Sequence, residues 1–312
     1  MHNNKKQNLL FFFVDGLGLD NDNENNLIKD ANILTNIHPN IFYLPNSDKA
    51  SVLSGNNWAM IPIDATLGVE GLPQSATGQS ALLTGINTAK LLGYHLNAYP
   101  NDKIVDIINE RSLLLTLKNM GLKITGANAY SKDYFEFVRK TKHIKFTCST
   151  RSIMAADIPF HLEDDLRKGL AVYQDLTNKG FRDFGYDVSL ITPEQSALNL
   201  VNISKNHDFT FFEYFQTDKA GHSCDKEYCR LVLGNLAKCF KVLSENMDFN
   251  YQTLIITSDH GNCENLSMKS HTKNLVPLVI FTNNNKLKEH FINKAKSLLD
   301  VYDLIIGSYD YF

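Results

Sequence analysis

No pair of cysteines in this chain has ribbon or redox spacing. The five, Cys148, Cys224, Cys229, Cys239 and Cys263, are odd in number and irregularly placed, with no C-x-x-C. A disulfide framework and a zinc ribbon are thereby excluded, and reduced thiols in a cytoplasm are expected. Long apolar runs are missing as well. The N-terminal "LLFFFV" (9–14) imitates the core of a leader peptide after "KK", but Asp15 stops it after six residues. A leader needs a longer stretch and a membrane span ~20 apolar residues, so the expectation is a soluble, unprocessed chain with no membrane partner. Nor does one sign of charge dominate. Lys and Arg total 31 against 34 Asp and Glu, a formal net charge of −3, which lacks the basic footprint of a nucleic-acid binder. Small molecules are the expected partners.

What is present describes a globular α/β protein. With 312 residues, 43% hydrophobic and 21% charged, the chain can bury a large core. Short apolar runs recur at 9–14, 123–130 ("KITGANAY"), 209–215 ("FTFFEYF"), 253–258 ("TLIITS") and 276–282 ("VPLVIFT"). Undivided by polar alternation, they read as strands covered on both faces, as in a parallel sheet. Helical segments lie between them, over 101–121, over 192–206 with Thr192 as cap and Pro193 in the first turn, and over about 225–246. The stretch 146–190 has charges and aromatics but no long buried run. It is expected to form a small cap, with helical spacing over 161–176, on a core made of 1–145 and 191–312. The polar "DNDNENN" (20–26) is expected to be an exposed loop.

Parallel sheets place active sites at the carboxyl ends of their strands, so the residues after each apolar run belong together. Asp15 follows "FFFV" directly. Asp218 and His222 follow 209–215, four apart, which puts both on one face of a helical turn. Asp259 and His260 follow "TLIITS", and His271 stands just before the run at 276–282. Each feature alone is ordinary: Asp and Gly make turns, and an Asp–His pair on a helix is usually solvated. Three Asp and three His at neighbouring strand ends are a different matter, because mixed carboxylate–imidazole sets of three suit Zn²⁺ or Mn²⁺ and six donors suffice for two ions. Ahead of an apolar helix, the Gly/Ser/Thr-rich "GLPQSATGQSALLTG" (71–85) offers Ser75 at the helix N-terminus, where the dipole and free N–H groups favour an oxyanion. That position suits a nucleophile as well as a cap.

Together these stretches resemble the alkaline phosphatase superfamily of metalloenzymes, nearest to the branch with cofactor-independent phosphoglycerate mutase and phosphopentomutase. The likeness is carried by "VDGLG" (14–18), "SATGQSALLTG" (75–85), "TDKAGH" (217–222), "SDHGN" (258–262) and "HTKNLVPL" (271–278), in the family's order. The resemblance implies a three-layer α/β sandwich with a mainly parallel sheet. It implies two divalent ions, Mn²⁺ or Zn²⁺ with Mg²⁺ a third candidate. Asp15, Asp259 and His260 would hold one, and Asp218, His222 and His271 the other. It places the nucleophile at Ser75, with Ser80 and Thr77 as alternatives. Gln79 stands where the mutases carry a His and becomes a candidate substrate contact. Arg139, Lys142, Lys145 and Arg151 could bind the rest of a substrate, Arg151 foremost. Ser75 also stands where sulfatases carry their modified cysteine, without the Pro and Arg of their signature.

The reading that follows is a two-metal phosphatase or phosphodiesterase working through a phosphoserine on a small phosphate ester. The large inserted domain of the phosphoglycerate mutase is not evident, since only 143 positions separate Ser75 from Asp218. A phosphomutase is the nearest alternative. A non-catalytic, metal-stabilised binding module is the second, opposed by the nucleophile candidate beside a full donor set. Oligomeric state is not legible in the sequence.

Overall fold

A computed structural model describes residues 7–21, 23–43, 51–141 and 145–312. Seven strands form one sheet: β1 (Asn8–Val14), β2 (Leu53–Ser54), β3 (Trp58–Ile63), β4 (Ile124–Gly126), β5 (Phe209–Tyr214), β6 (Gln252–Ser258) and β7 (Val276–Phe281), in the order β2-β3-β7-β6-β1-β5-β4. The centre is parallel. β1 pairs with β5 on one side and β6 on the other, and β4 adds to β5 in the same sense. On the far edge β7 runs against β6, and β3 against β7. No helix interrupts the connection 259–275 that joins β6 to β7. A parallel return needs a crossover, usually helical, so the chain turns back instead.

The apolar runs are continuous because helices cover both faces. Leu10, Phe12 and Val14 pack on one side with Phe212, Tyr214, Leu254 and helix Lys226–Asn246, while Leu9, Phe11 and Phe13 pack on the other with helices Ser75–Thr84 and Leu298–Gly307. This is the expected three-layer sandwich. Phe12 makes edge-on contacts with Phe212 and Phe240, both with ring centroids at 4.9 Å. Burying one such ring stabilises the fold by roughly 1.5–3 kcal/mol. Among the described residues no helix is long and apolar enough to cross a membrane.

Several local expectations are corrected. The helix expected over 101–121 is two helices, Asp102–Glu110 and Leu113–Asn119, because Ser112 accepts from the Leu115 N–H and starts a new one. The run at 123–130 yields only the three residues of β4, after which Asn128 and Ala129 make isolated bridges to Val172 and His161. Over 161–176 only Glu163–Arg167 is helical, and Gly169 at φ +69° turns the chain away. The patch at 20–26 is a loop only partly open to solvent, with Glu24 exposed. Asn26 is buried, donates to the Asn21 carbonyl and accepts from the Ile28 N–H, while Asp22 lies outside the described residues. β2 and β3 are strands that no sequence signal announced.

Within 146–190, helix Cys148–Ala155 sends Cys148 and Ile153 into the main core. A small separate cluster of Ala129, Leu166, Ala171, Phe181 and Val188 lies beyond it.

Candidate metal centre

Strand register makes the site. Val14 of β1 is level with Tyr214 of β5 and with Ser258 of β6, so the residues that follow leave the sheet side by side. Asp15 and Asp259 come directly next, and helix Gln216–Ser223 brings Asp218 and His222 from the end of β5. His271 reaches the same edge because β7 runs the other way: the start of an antiparallel strand lies at the carboxyl ends of its neighbours. All six candidate donors therefore converge.

Two sets of three donor atoms lie within 4.8 Å of one another, Asp15–Asp259–His260 and Asp218–His260–His271. His260 Nε2 stands 3.2 Å from Asp15 Oδ1 and 3.5 Å from Asp259 Oδ2. His271 Nε2 stands 3.3 Å from Asp218 Oδ1. The second set contains His260 where the resemblance placed His222, because the rings of His260 and His271 stack at 3.7 Å. His222 approaches the same group from solvent, its Nε2 3.1 Å from His271 Nε2 and 3.4 Å from Asp218 Oδ2.

The donor chemistry fits cations. His222 Nδ1 meets the Lys269 carbonyl at 2.7 Å, and His271 Nδ1 meets the Pro73 carbonyl at 2.7 Å. A carbonyl can only accept, so each Nδ1 carries a proton and each Nε2 faces the donor cluster, where a neutral ring presents a lone pair to a cation. With both rings neutral, the 3.1 Å approach of those two nitrogens would set lone pair against lone pair, an arrangement that a cation between them relieves. Asp15 Oδ1 and Asp259 Oδ2 are buried without a hydrogen-bond partner. Burial, then repulsion from Asp15, raises the Asp259 carboxyl well above its ordinary range, and burial raises Asp15. Burial alone would lower His260, but Asp259 and Asp15 outweigh it and lift the ring to about 10. Burial opposes ionisation of Asp218 too, yet its bond to His271 and the nearby His260 hold it at about 2. Buried carboxylates gathered round imidazoles cost folding energy unless a cation compensates them.

The hydroxyls of "SATGQS" separate cleanly. Ser75 opens helix Ser75–Thr84, and its Oγ stands 3.1 Å from His260 Nε2. A Cβ on Gly78 would come within 2.8 Å of the Asp259 carbonyl, so glycine is what lets this helix approach β6 so closely. Thr77 donates to the Gln74 carbonyl, and Ser80 donates to the Ala76 carbonyl and meets Thr88. Neither makes a hydrogen bond to a metal-donor residue.

Gln79 has a different partner from the one expected. It is buried and donates to Asp15 Oδ2 at 3.0 Å, so its amide nitrogen orients that carboxylate, while its Oε1 is buried without a hydrogen-bond partner. Arg139, Lys145 and Arg151 share a cavity of about 270 Å³. The Arg151 guanidinium lies over the Phe146 ring at 5.2 Å, and its Nε is buried without a partner. None of the six donors lines that cavity. The helix that carries Arg151 is tied to the segment of Ser75, because Cys148 donates to the carbonyl of Ala76. Lys142 lies outside the described residues. Sequence reasoning missed Thr217, which donates to the Asp15 carbonyl, Asn262, which donates to Asp218 Oδ1 at 2.7 Å, and the buried Glu264. Only adjacency to "SDHG" could have singled out the last two.

Comparison with known proteins agrees with this geometry. The Metalloenzyme superfamily model matches residues 7–308. A 2,3-bisphosphoglycerate-independent phosphoglycerate mutase of Gracilaria tenuistipitata var. liui is 27% identical over 130 residues, 40% of this chain and 25% of that protein. This chain thus spans about a quarter of the length of the curated relatives it matches. Among solved structures, the Bacteroides thetaiotaomicron protein BT33494S-sulf, described with the metabolism of multiple glycosaminoglycans, is 11% identical. It covers 97% of this chain and 72% of its own, with a TM-score of 0.53, a likeness of fold. Alkaline phosphatase from the Antarctic bacterium TAB5 is 13% identical and covers 99% of this chain and 100% of its own, with a TM-score of 0.48. The chain belongs to the Metalloenzyme superfamily, and part of it is similar to the phosphoglycerate mutases that work independently of 2,3-bisphosphoglycerate.

Proposed function

We propose that this chain is a two-metal phosphoric ester hydrolase whose nucleophile is Ser75. The observation that carries the reading is the Ser75 hydroxyl, 3.1 Å from His260 Nε2 at a helix N-terminus. Asp15, Asp259 and His260 would hold one divalent cation, and Asp218, His222 and His271 the other. Such ions neutralise a phosphate and make a serine hydroxyl a nucleophile at neutral pH. The free N–H groups of the helix start face the developing negative charge. Gln79 holds Asp15 in place. Attack by Ser75 Oγ on phosphorus expels the alcohol and leaves a phosphoserine, which water then cleaves to phosphate. The Arg139–Lys145–Arg151 cavity would take the part of the substrate that is not transferred. The small cluster beyond helix Cys148–Ala155 supports hydrolysis over return transfer, because a mutase must retain its intermediate in a closed site. A second reading, the phosphomutase, is favoured by the identity to mutases, and in it the phosphoserine returns its group to the substrate.

The test uses protein loaded with Mn²⁺ or Zn²⁺, an aryl phosphate monoester and its diester, and a chelator-treated control. Metal-dependent release of nitrophenol is expected. Ser75→Ala should lower it at least ~10³-fold while both ions stay bound. A near-full rate in that variant would move the nucleophile to Thr77 or Ser80. Silence on both esters, with transfer of label between positions of a phosphorylated hydroxy acid, would replace hydrolase by mutase.

A further inference from the structure

Glu264 is fully buried and is the only carboxylate of the "SDHGNCE" stretch outside the donor set. Its Oε2 accepts from the Gly18 N–H at 3.0 Å and from the Asn262 N–H at 2.7 Å. Its Oε1 accepts from the Thr272 hydroxyl and from Asn274 Nδ2, the latter at 3.1 Å. All four donors are neutral, and together they compensate a charge that would otherwise be costly to bury.

Those donors belong to the segments that carry the metal candidates. Gly18 is three residues past Asp15, Asn262 two past His260, and Thr272 directly follows His271. Asn262 extends the link to a fourth segment, because its side chain donates to Asp218 Oδ1 at 2.7 Å and to the Asp218 carbonyl at 3.2 Å. The backbone is shaped round this carboxylate. A Cβ on Gly18 would lie 2.3 Å from Glu264 Oε1, and one on Gly261 would lie 2.2 Å from it. Both positions must be bare for Glu264 to reach its partners.

We propose that Glu264 is the positioning residue that couples the two metal sites. It touches neither metal nor substrate. It ties together the loops after β1 and β6 and the loop before β7, and through Asn262 the helix after β5. Ordering one set of donors therefore orders the other, and the two ions load cooperatively. The inference rests on the two-metal reading given above.

The charge itself is not what this role needs. In Glu264→Gln the amide oxygen can replace Oε2 and accept from Gly18 and Asn262. The NH₂ then faces Thr272, whose hydroxyl can accept, and Asn274, whose amide can turn its oxygen round. Glu264→Ala leaves four buried donors without an acceptor and the loops untied.

The experiment titrates Mn²⁺ by calorimetry into chelator-stripped wild-type, Glu264→Ala and Glu264→Gln proteins, with circular dichroism to check folding. Wild type should bind two ions with a Hill coefficient above 1. Glu264→Ala should bind them independently and at least ~10-fold more weakly, the scale of lost ligand support. Glu264→Gln should restore affinity and cooperativity. If Glu264→Ala does not fold, Asn262→Ala provides the same reading with one link cut, and its Hill coefficient should fall to 1. The proposal is overturned if a folded Ala variant at either position keeps wild-type affinity and cooperativity, or if Gln behaves like Ala at 264. Two ions bound by every variant with the affinity and Hill coefficient of wild type would sink this coupling alone, whereas no Mn²⁺ uptake by wild type would sink the two-metal reading with it.

Discussion

The two halves of the donor cluster use the same residue types in opposite ratio and in different surroundings. Asp15, Asp259 and His260 give two carboxylates and one imidazole, all buried. Asp218, His222 and His271 give one carboxylate and two imidazoles, with the His222 side chain 45% exposed. In the inner half burial pushes Asp15 and Asp259 upward and neighbouring carboxylates add to it, whereas at Asp218 the histidines His271 and His260 outweigh burial. The outer half opens to solvent on one side. On the two-metal reading, the difference teaches that a cation would be structural compensation in the first and an exchangeable partner in the second.

The sharpest way to break that contrast is at Asp259. Asp259→Asn removes a donor and a buried charge at once. Activity should fall at least ~10³-fold, and Mn²⁺ should no longer raise the melting temperature. The metal-free variant should melt a few degrees above metal-free wild type, because the repulsion with Asp15 is gone. A lower melting point for the metal-free variant would contradict the account of the inner half. Next in size is His222→Ala, which should weaken one ion roughly 10–100-fold and leave the other in place, with little change in stability because the side chain is half in water. Equal weakening of both ions on chelator titration would erase the distinction between the halves.

The smallest effect is expected at Glu213, the buried carboxyl on β5. Burial raises it to about 8, with its bond from Ser149 opposing and Asp15 adding to the shift. In metal-free protein the folded state thus keeps a proton that the unfolded chain releases near its ordinary value of 4.5. Stability from this group is present below that value and is lost as pH rises toward 8. Glu213→Gln should flatten that decline. Melting curves of the metal-free proteins from pH 5 to 9 that stay parallel would refute it.

Particular residues show why legibility was uneven. Asp15, Asp259 and His260 were readable because each is covalently next to an apolar run, and a strand end is a local fact. Asp218 and His222 were readable because helical spacing is local too. His271 stands before its strand, and before a parallel strand it would lie at the wrong edge. Only the reversed direction of β7 brings it in. Gln79 was assigned to substrate by its place in a motif, but its partner Asp15 is 64 residues away. The single helix expected at 101–121 failed because an apolar period continues across a break that one serine cap suffices to make.

By itself, then, the sequence determined the parallel core and the family and pointed to six candidate donors, because patterns of burial and adjacency to strand ends are set by neighbours along the chain. The tertiary structure decided which hydroxyl meets His260, why His271 belongs, what Gln79 holds and how Glu264 ties four segments together. Those are contacts between residues far apart in the chain, settled only when strand direction and register bring them within hydrogen-bond reach.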